Sequence, residues 1–206
     1  MRNYRKFLKS ITDMSNRDMI KACRDAGLKE LGKGSTRIVF ELTDKLVIKI
    51  ALGKAGVEQN KNESQYWVMI DYDFSGLKQY FAKVHINDCH WYDYFLVMDK
   101  LQTKFDDKRK YTKTINDAWY GRENPKSKTF IDRALKLRKA VKRVDDIQDA
   151  VNWKDIHAGN IGIDGKGLVK IMDYGLTNRT HRKHYYAGHG ALARRVRPRK
   201  HYLPAV

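Results

Sequence analysis

The first segment of the chain, residues 3–30, carries apolar residues at helical spacing. Ser15 followed by Asp18 is a capping signal for a helix, and Gly27 is a natural helix stop. The pattern predicts a helical prefix that packs on the outside of the sheet encoded next.

Short β-rich runs and one helix follow this prefix. Residues 31–40 and 46–52 are strand-like and are joined by a turn at residues 43–45. A helix is predicted over residues 57–70, where apolar side chains stand among polar ones, and a further strand over residues 94–101. Together these elements predict a small antiparallel sheet accompanied by a helix.

The second half of the chain contains one long amphipathic helix and one hairpin. Residues 102–130 are polar and poorly periodic, with a short helix at residues 115–120. From Thr129 a strong helix is predicted, because these apolar residues recur at helical spacing: Phe130, Ala134, Leu137, Val141, Val144, Ile147 and Val151. A strand, a glycine-rich turn at residues 164–167 and a second strand at residues 168–172 then predict a hairpin.

The net charge of the chain indicates which kinds of partner it attracts. The 206 residues include 42 Lys and Arg against 24 Asp and Glu, a formal net charge of +18. Such an excess predicts attraction to nucleic acid, phosphates or acidic protein surfaces, and a solvated basic surface is the simpler interpretation. The length fits one domain or two small lobes that share a cleft.

Two further features bear on where the protein works. Cys23 and Cys89 have no metal-binding spacing and predict reduced thiols. The sequence has no apolar run long enough to span a membrane and no signal peptide. We therefore expect a cytoplasmic protein without a membrane partner.

Three polar residues stand at the ends of the predicted hairpin: Asp155, Asn160 and Asp173. Because a hairpin brings its two ends together, these side chains are expected to converge on one point. Two carboxylates and an amide offer hard oxygen ligands, which suit Mg²⁺ carrying phosphate better than zinc.

Lys49 lies inside an apolar strand, which is unusual because burying an unpaired ammonium group is costly. One interpretation is that Lys49 reaches into a cleft and meets phosphate. The alternative is an edge strand whose lysine points outward.

The order of these motifs resembles the protein-kinase-like superfamily. Asp155 and Asn160 are spaced like the D-x-x-x-x-N catalytic loop, and Asp173-Tyr174-Gly175 resembles the D-F-G metal motif. The loop sequence Asp-Ile-His-Ala-Gly-Asn is more similar to that of aminoglycoside and choline kinases than to that of eukaryotic protein kinases.

The first half of the chain is similar to the same superfamily. The run Gly32-x-Gly34-x-x-Arg37-x-Val39 resembles the glycine-rich loop with its third glycine replaced by arginine, and Val47-Ile-Lys49 resembles the lysine strand. Arg37 could weaken closure of this loop or add a charge near the phosphates.

The resemblance implies roles in phosphoryl transfer. Lys49 would hold the α- and β-phosphates of ATP, and Asn160 and Asp173 would hold Mg²⁺. Asp155 would orient the acceptor hydroxyl and receive its proton. His157 stands where protein kinases carry a lysine that steadies the γ-phosphate.

The resemblance also implies a set of nucleotide-binding residues: Gly32, Gly34, Val39, Lys49, Glu63, Met98, Asp99 and Leu101. Glu63 would pair with the strand lysine, with Glu58 as the competing candidate. Met98 would be the gatekeeper, Asp99 would offer its carbonyl to adenine and Leu101 its N–H.

The expected fold class is α+β, a two-lobed protein-kinase-like fold. Residues 1–30 would be a helical extension, residues 31–101 a lobe built on a small antiparallel sheet, and residues 102–206 a reduced, mainly helical lobe. The resemblance covers Gly32 to Gly175, so the chain would be a minimal, truncated kinase of the size found in a phage or another compact genome.

The expected function is ATP- and Mg²⁺-dependent phosphorylation of Ser or Thr in proteins, in the host cytoplasm if the chain is phage-encoded. The basic surface would favour acidic protein substrates, and the basic tail from Arg179 onward would contact nucleic acid. A small-molecule kinase of the aminoglycoside or choline type is one alternative. A non-catalytic basic module that binds nucleic acid or protein is another.

Overall fold

The computed structural model describes residues 3–72, 75–90, 93–104 and 158–186. Several predicted features lie outside these residues: the helix from Thr129, the short helix at residues 115–120, Asp155, His157 and the basic tail beyond residue 186. Most of the predicted helical lobe therefore lies outside the described residues too, and the division into three domains stays a prediction.

The described elements are helices and antiparallel strands, which confirms the predicted α+β class. In chain order they are α1 (Tyr4–Ile11), α2 (Asn16–Asp25), β1 (Glu30–Lys33), β2 (Arg37–Glu41), β3 (Leu46–Ala51), α3 (Lys54–Tyr72), β4 (Phe95–Asp99), β5 (Ile161–Ile163), β6 (Val169–Ile171) and α4 (Asn178–His181). Short 3₁₀ segments occupy Ser75–Tyr80, Ile86–Asp88 and Ala158–Asn160, and Arg182–Tyr186 forms a π-helical turn.

The predicted helical prefix is two helices rather than one run. Ser15 separates them, because its hydroxyl accepts from the backbone N–H of Asp18 and caps α2. Gly27 ends α2 with a φ of 70°, a left-handed value that favours glycine. The prefix is shorter than expected, since Glu30 already belongs to β1.

The main sheet has four antiparallel strands in the order β1-β2-β3-β4. The strand β3 lies between β2 and β4, and all 6 of its residues are buried. Burial on both faces explains why its sequence is a continuous apolar run instead of an alternating one.

Helices cover the two faces of this sheet. One face contributes Ile38, Phe40, Ile48, Ile50, Phe95 and Val97 to a cluster with Leu8, Ile11, Met19 and Cys23 of the helical prefix. The other face contributes Val47, Leu96 and Met98 to a second cluster, called the inner cluster below, with Trp67 and Ile70 of α3. The helical prefix thus packs on the outside of the sheet, as predicted, and α3 packs on the inner face.

The hairpin of β5 and β6 is attached to the inner cluster. Ile161 pairs with Ile171 across the hairpin, and both side chains are buried in the inner cluster. Backbone bridges join Gln102 to Ile163 and Phe81 to Ile171. These contacts fix the ends of the hairpin relative to the sheet and to α3.

The chain after the hairpin docks on α3. Asn62 donates to the carbonyl of Gly175 and to the hydroxyl of Thr180, both at 2.9 Å. Glu58 accepts from Lys183 at 2.6 Å and lies 2.7 Å from a ring nitrogen of His184. The first part of the basic tail is therefore a packed segment.

No helix in the described ranges is long and apolar enough to cross a membrane.

Glu58 is the anchor of this docked segment. Burial raises its pKa, but hydrogen bonds from Lys183, His184 and Thr180 outweigh burial and lower the pKa to about 2. The ionised carboxylate contributes stability that is fully present above its unfolded pKa of 4.5 and is lost as the pH falls toward 2.

We expect Glu58→Gln to release residues 182–186 at neutral pH. Trypsin should then cut after Arg182 or Lys183 about tenfold faster, because a hydrogen bond to a charged group contributes about 1.5–3 kcal/mol. Glu30→Gln is the control, since it removes an exposed ion pair with Arg24 elsewhere on the surface. Equal cleavage of wild type and Glu58→Gln would contradict this anchoring role.

Candidate functional site

Lys49 is a buried cation on the central strand. Its side chain is 7% exposed, and Nζ donates to Glu63 Oε2 at 2.9 Å and to the carbonyl of Met172 at 2.6 Å. The outward-lysine interpretation does not apply, because β3 is flanked by β2 and β4. The structure thus brings Lys49 together with the helix glutamate named from the sequence, and Glu58 has a different partner.

Glu63 is completely buried and joins four segments of the chain. Its Oε1 accepts from Arg37 Nη1 at 2.9 Å and from the backbone N–H of Gly175 at 3.2 Å, while Oε2 accepts from Lys49. A buried carboxylate stays charged only when partners of this kind replace water. Glu63 therefore fixes α3 against β2, β3 and the segment after β6.

Arg37, the residue in place of the third glycine of the loop motif, is buried against α3. Its side chain is 6% exposed. It donates to Glu63 and, at 3.3 Å, to Asn60 Oδ1, and its Nη2 forms an ion pair with Asp173. Arg37 is thus paired with two carboxylates next to the predicted phosphate site, and the expectation that it adds a charge near the phosphates stays a prediction.

Strand alternation is the signal that could have located Arg37. In the β2–β3 pairing, Arg37 lies opposite Ala51 and Val39 lies opposite Lys49. Side chains two residues apart share a face, so Arg37 and Lys49 are diagonal neighbours facing α3. The small side chain of Ala51 leaves room for the guanidinium.

Asn160 and Asp173 lie at the same end of the β5–β6 hairpin. The backbone N–H of Met172 donates to the carbonyl of Asn160 at 3.0 Å, directly before Asp173. The Asp173 side chain is 38% exposed, whereas Asn160 is 6% exposed. The two predicted metal ligands are thus brought to neighbouring positions.

The electrostatics around Asp173 favour its charged form. Burial raises the pKa of Asp173, but Arg37 and Lys49 outweigh burial and hold the pKa at about 2. An ionised carboxylate beside an asparagine fits Mg²⁺, which takes one or two protein oxygens and completes its shell with phosphate and water. Within the described ranges, three or more His, Cys, Asp and Glu side chains do not gather into a metal cluster, so this pair is the candidate there.

The glycine-rich segment forms the β1–β2 hairpin next to the same site. Gly32 pairs with Val39, and the N–H of Gly34 donates to the carbonyl of Arg37 at 2.8 Å. A Cβ at Gly32 would meet no atom within 4 Å, and a Cβ at Gly34 would meet only that carbonyl, at 3.8 Å. The space over this turn is open, as a loop that approaches a ligand with its backbone requires.

The predicted adenine-binding segment lies at the end of β4. Met98 is buried in the inner cluster, and Asp99 pairs through its side chain with His85 at 2.8 Å. Leu101 is 6% exposed and packs on Gly162, where a Cβ would lie 2.5 Å from the Leu101 Cβ. The carboxylate of Asp99 is thus occupied by His85, and only its backbone is a candidate for adenine.

Gly175 permits the close approach of the Asp-Tyr-Gly motif to α3. A Cβ at this position would overlap the carbonyl oxygen of Gln59 and lie 2.8 Å from Glu63 Cγ. Tyr174 before it is buried and donates to the carbonyl of Ala82 at 3.0 Å. The motif is therefore shaped by packing as well as by its carboxylate.

We expect Gly175→Ala to destabilise the protein by about 1–3 kcal/mol, the usual effect of overpacking. The added methyl group must push α3 away from the motif and stretch the Glu63 contacts. Urea denaturation measures the change in the free energy of unfolding. Gly165→Ala is the matched control, because a Cβ there meets nothing within 4 Å; equal midpoints for the two variants would contradict the packing role.

These contacts define the class of fold. The central strand of an antiparallel sheet carries a lysine paired with a helix glutamate, and a neighbouring hairpin ends in Asp-Tyr-Gly. This is the arrangement that the resemblance to the protein-kinase-like superfamily predicts for the lobe built on the small sheet. Asp155 and His157 lie outside the described residues, so their predicted roles stay predictions.

Comparison with known proteins gives structural likenesses at low sequence identity. No family model and no curated protein matches the sequence. The streptomycin–ATP ternary complex of APH(2″)-IIa aligns at 10% identity and a TM-score of 0.40, over 79% of this chain and 71% of that one. The ADP-bound aminoglycoside phosphotransferase APH(2″)-Ib aligns at 11% identity and a TM-score of 0.41, over 79% and 70%. The GDP and kanamycin complex of APH(2″)-IIia aligns at 13% identity and a TM-score of 0.39, over 72% and 66%.

Proposed function

We propose that the protein is a phosphotransferase that moves the γ-phosphoryl group of a Mg²⁺-bound nucleotide, ATP by preference, to a hydroxyl group. The observation that carries the proposal is the buried Lys49–Glu63 ion pair. Lys49 Nζ also donates to the carbonyl of Met172, the residue directly before Asp173. A lysine fixed in this way presents its ammonium group where phosphate oxygens arrive beside a metal-binding carboxylate.

The chain's own residues divide the work. Glu63 fixes Lys49, which would neutralise and orient the α- and β-phosphates, and the backbone of the turn near Gly34 would cover them. Asn160 and Asp173 would hold Mg²⁺, which on binding neutralises the charge of the phosphates. Asp155 would orient the acceptor hydroxyl and take its proton. Such an arrangement catalyses by positioning and by electrostatic stabilisation.

The sequence of the catalytic loop favours a small-molecule hydroxyl as the acceptor. Asp155-Ile-His-Ala-Gly-Asn160 has the histidine and glycine of the aminoglycoside- and choline-type loop. A Ser or Thr side chain of a protein is the competing acceptor.

Calorimetric titration with ATP, in the presence of Mg²⁺ and then of EDTA, tests nucleotide and metal use. We expect binding that needs Mg²⁺ and a matching rise in melting temperature. Asp173→Asn should lose the Mg²⁺ dependence, whereas Asp44→Asn, an exposed aspartate in the β2–β3 turn, should keep it. Failure of wild type to bind ATP at millimolar concentration would contradict the proposed function.

The acceptor is tested by following labelled phosphate from ATP. One set of reactions contains aminoglycosides, choline and other small alcohols, and the other contains whole-cell protein. Label on a small alcohol supports the proposal in full. Label confined to Ser and Thr residues of proteins would replace the small-molecule acceptor with a protein acceptor.

We also propose an acidic protein segment as a partner for the groove between α3 and the docked tail. This groove, about 1000 Å³ in volume, is lined by five exposed cations: Lys54, Lys61, Arg179, Arg182 and Lys183. Glu58, which also lines it, is already paired with Lys183. The double charge reversal Lys54→Glu with Lys61→Glu should weaken binding of a poly-glutamate peptide and flatten its salt dependence. Weakened binding of single-stranded DNA alone would point to nucleic acid instead.

A further inference from the structure

We infer that Arg37 is a positioning residue that occupies the metal-binding carboxylate of Asp173 before Mg²⁺ arrives, and so makes metal binding depend on the nucleotide. The inference rests on the proposed function, because it concerns the same Mg²⁺ site. It goes beyond that function because it assigns a role to Arg37 of β2, whose guanidinium is paired with Asp173.

The first support is the placement of Arg37. Its Nη2 is paired with Asp173 Oδ1, and its Nη1 with Glu63 at 2.9 Å. A guanidinium presents its donors in a rigid planar fork, so these two contacts hold both carboxylates in one orientation. Asp173 is thereby held facing the sheet and α3.

The second support is burial. Arg37 is 6% exposed, and Asn60, which also accepts from it, is completely buried. Asn60 in turn donates to the backbone carbonyl of Asp93 at 2.9 Å. Arg37 is therefore anchored on the side away from Asp173, and its contact with that carboxylate is built into the fold.

The third support is the balance of charge. Arg37 and Lys49 carry two positive charges, and Glu63 and Asp173 carry two negative ones, so this group of four is neutral. Adding a bare divalent cation gives a charge of +2 to a group in which three of the four side chains are at most 7% exposed, which is unfavourable. The phosphates of a nucleotide supply the missing negative charge. The metal should therefore bind together with the nucleotide and poorly alone.

The test measures metal binding without nucleotide. Mn²⁺, a paramagnetic stand-in for Mg²⁺, is titrated into wild type, Arg37→Gln and Arg37→Lys and followed by electron paramagnetic resonance. We expect Arg37→Gln, which is shorter and carries no charge, to bind Mn²⁺ at least about tenfold more tightly than wild type, because a nearby positive charge has been removed. Arg37→Lys, which keeps the charge, should stay close to wild type.

The control is Lys9→Gln, which removes an exposed cation from α1, on the face of the sheet opposite α3. Its Mn²⁺ affinity should equal that of wild type. Equal affinities for wild type and Arg37→Gln would overturn the inference. If wild type binds Mg²⁺-ATP and these affinities are equal, only the inference about Arg37 is contradicted. If wild type does not bind Mg²⁺-ATP, the proposed function is contradicted.

A second measurement keeps the inference testable if Arg37→Gln does not fold. Wild-type protein labelled with ¹⁵N-arginine reports the guanidinium signal of Arg37, assigned with Arg37→Lys. Addition of ATP with Mg²⁺ should shift this signal as the Asp173 contact is released, and addition of ATP with EDTA should not. An unchanged signal with bound Mg²⁺-ATP would mean that Arg37 only braces the fold.

Discussion

Replacing Glu63 by alanine should lower the free energy of unfolding by about 3–5 kcal/mol, the usual effect of breaking a buried ion pair from one side. Glu63 is completely buried and is the carboxylate that Lys49 and Arg37 share. Its removal leaves Lys49 and Arg37 as two buried cations, and Asp173 is then the one acidic residue left in their four-residue charge group. A typical domain is stable by only 5–15 kcal/mol, so the variant should be close to unfolding at 37 °C.

Urea denaturation followed by circular dichroism measures this loss. Glu30→Ala is the matched control, because it removes the partner of an exposed arginine, Arg24, and an exposed pair contributes only about 0–1 kcal/mol. Comparing the two variants shows whether Glu63 holds α3 in place or is a carboxylate without a structural role. If Glu63→Ala were as stable as Glu30→Ala, the four-residue charge group would not hold α3 in place.

Replacing Asp155 by asparagine should lower kcat by about 10² to 10⁴, the usual contribution of a positioned general base. The substitution keeps the size and hydrogen bonding of the side chain and removes the charge that accepts the proton. The nucleotide dissociation constant should barely change, because the proposed role of Asp155 concerns the acceptor hydroxyl.

The decisive measurement pairs kcat with the dissociation constant of Mg²⁺-ATP in the same variant. Asp164→Asn is a suitable control, because this aspartate accepts from Lys166 and Leu168 within the β5–β6 turn and lies away from the proposed chemistry. A variant that keeps its kcat, or that loses nucleotide binding in step with activity, would show that Asp155 has another role.

Local pattern was enough to predict the strands and the helix, whereas the Lys49–Glu63 pair was implied by the resemblance to the protein-kinase-like superfamily. The run containing Lys49 is apolar on both faces because β3 is covered by the helical prefix on one side and by α3 on the other. The hairpin from residue 161 to residue 171 follows from glycine-rich turn chemistry, with Asp164 bonding the backbone of the turn. In each case neighbouring residues decide the outcome.

Contacts between distant segments could not be predicted in the same way. Arg37 and Asp173 are 136 positions apart, and Glu58 and Lys183 are 125 positions apart. Hydrophobic periodicity says which face a residue occupies and does not say which charged side chain meets it there. The motif position of Arg37 therefore predicts a loop residue, and its face of β2 is what directs it to α3.

The position of Glu63 also has a consequence for motion. Its carboxylate receives donors from β2, from β3 and from Gly175, so α3 cannot swing outward without breaking all three of these hydrogen bonds. Elements tied through one buried group open together as a cooperative unit. We expect the amide protons of α3 and β3 to exchange with solvent at one common rate, so control of the protein would act through occupancy of the site and not through movement of this helix.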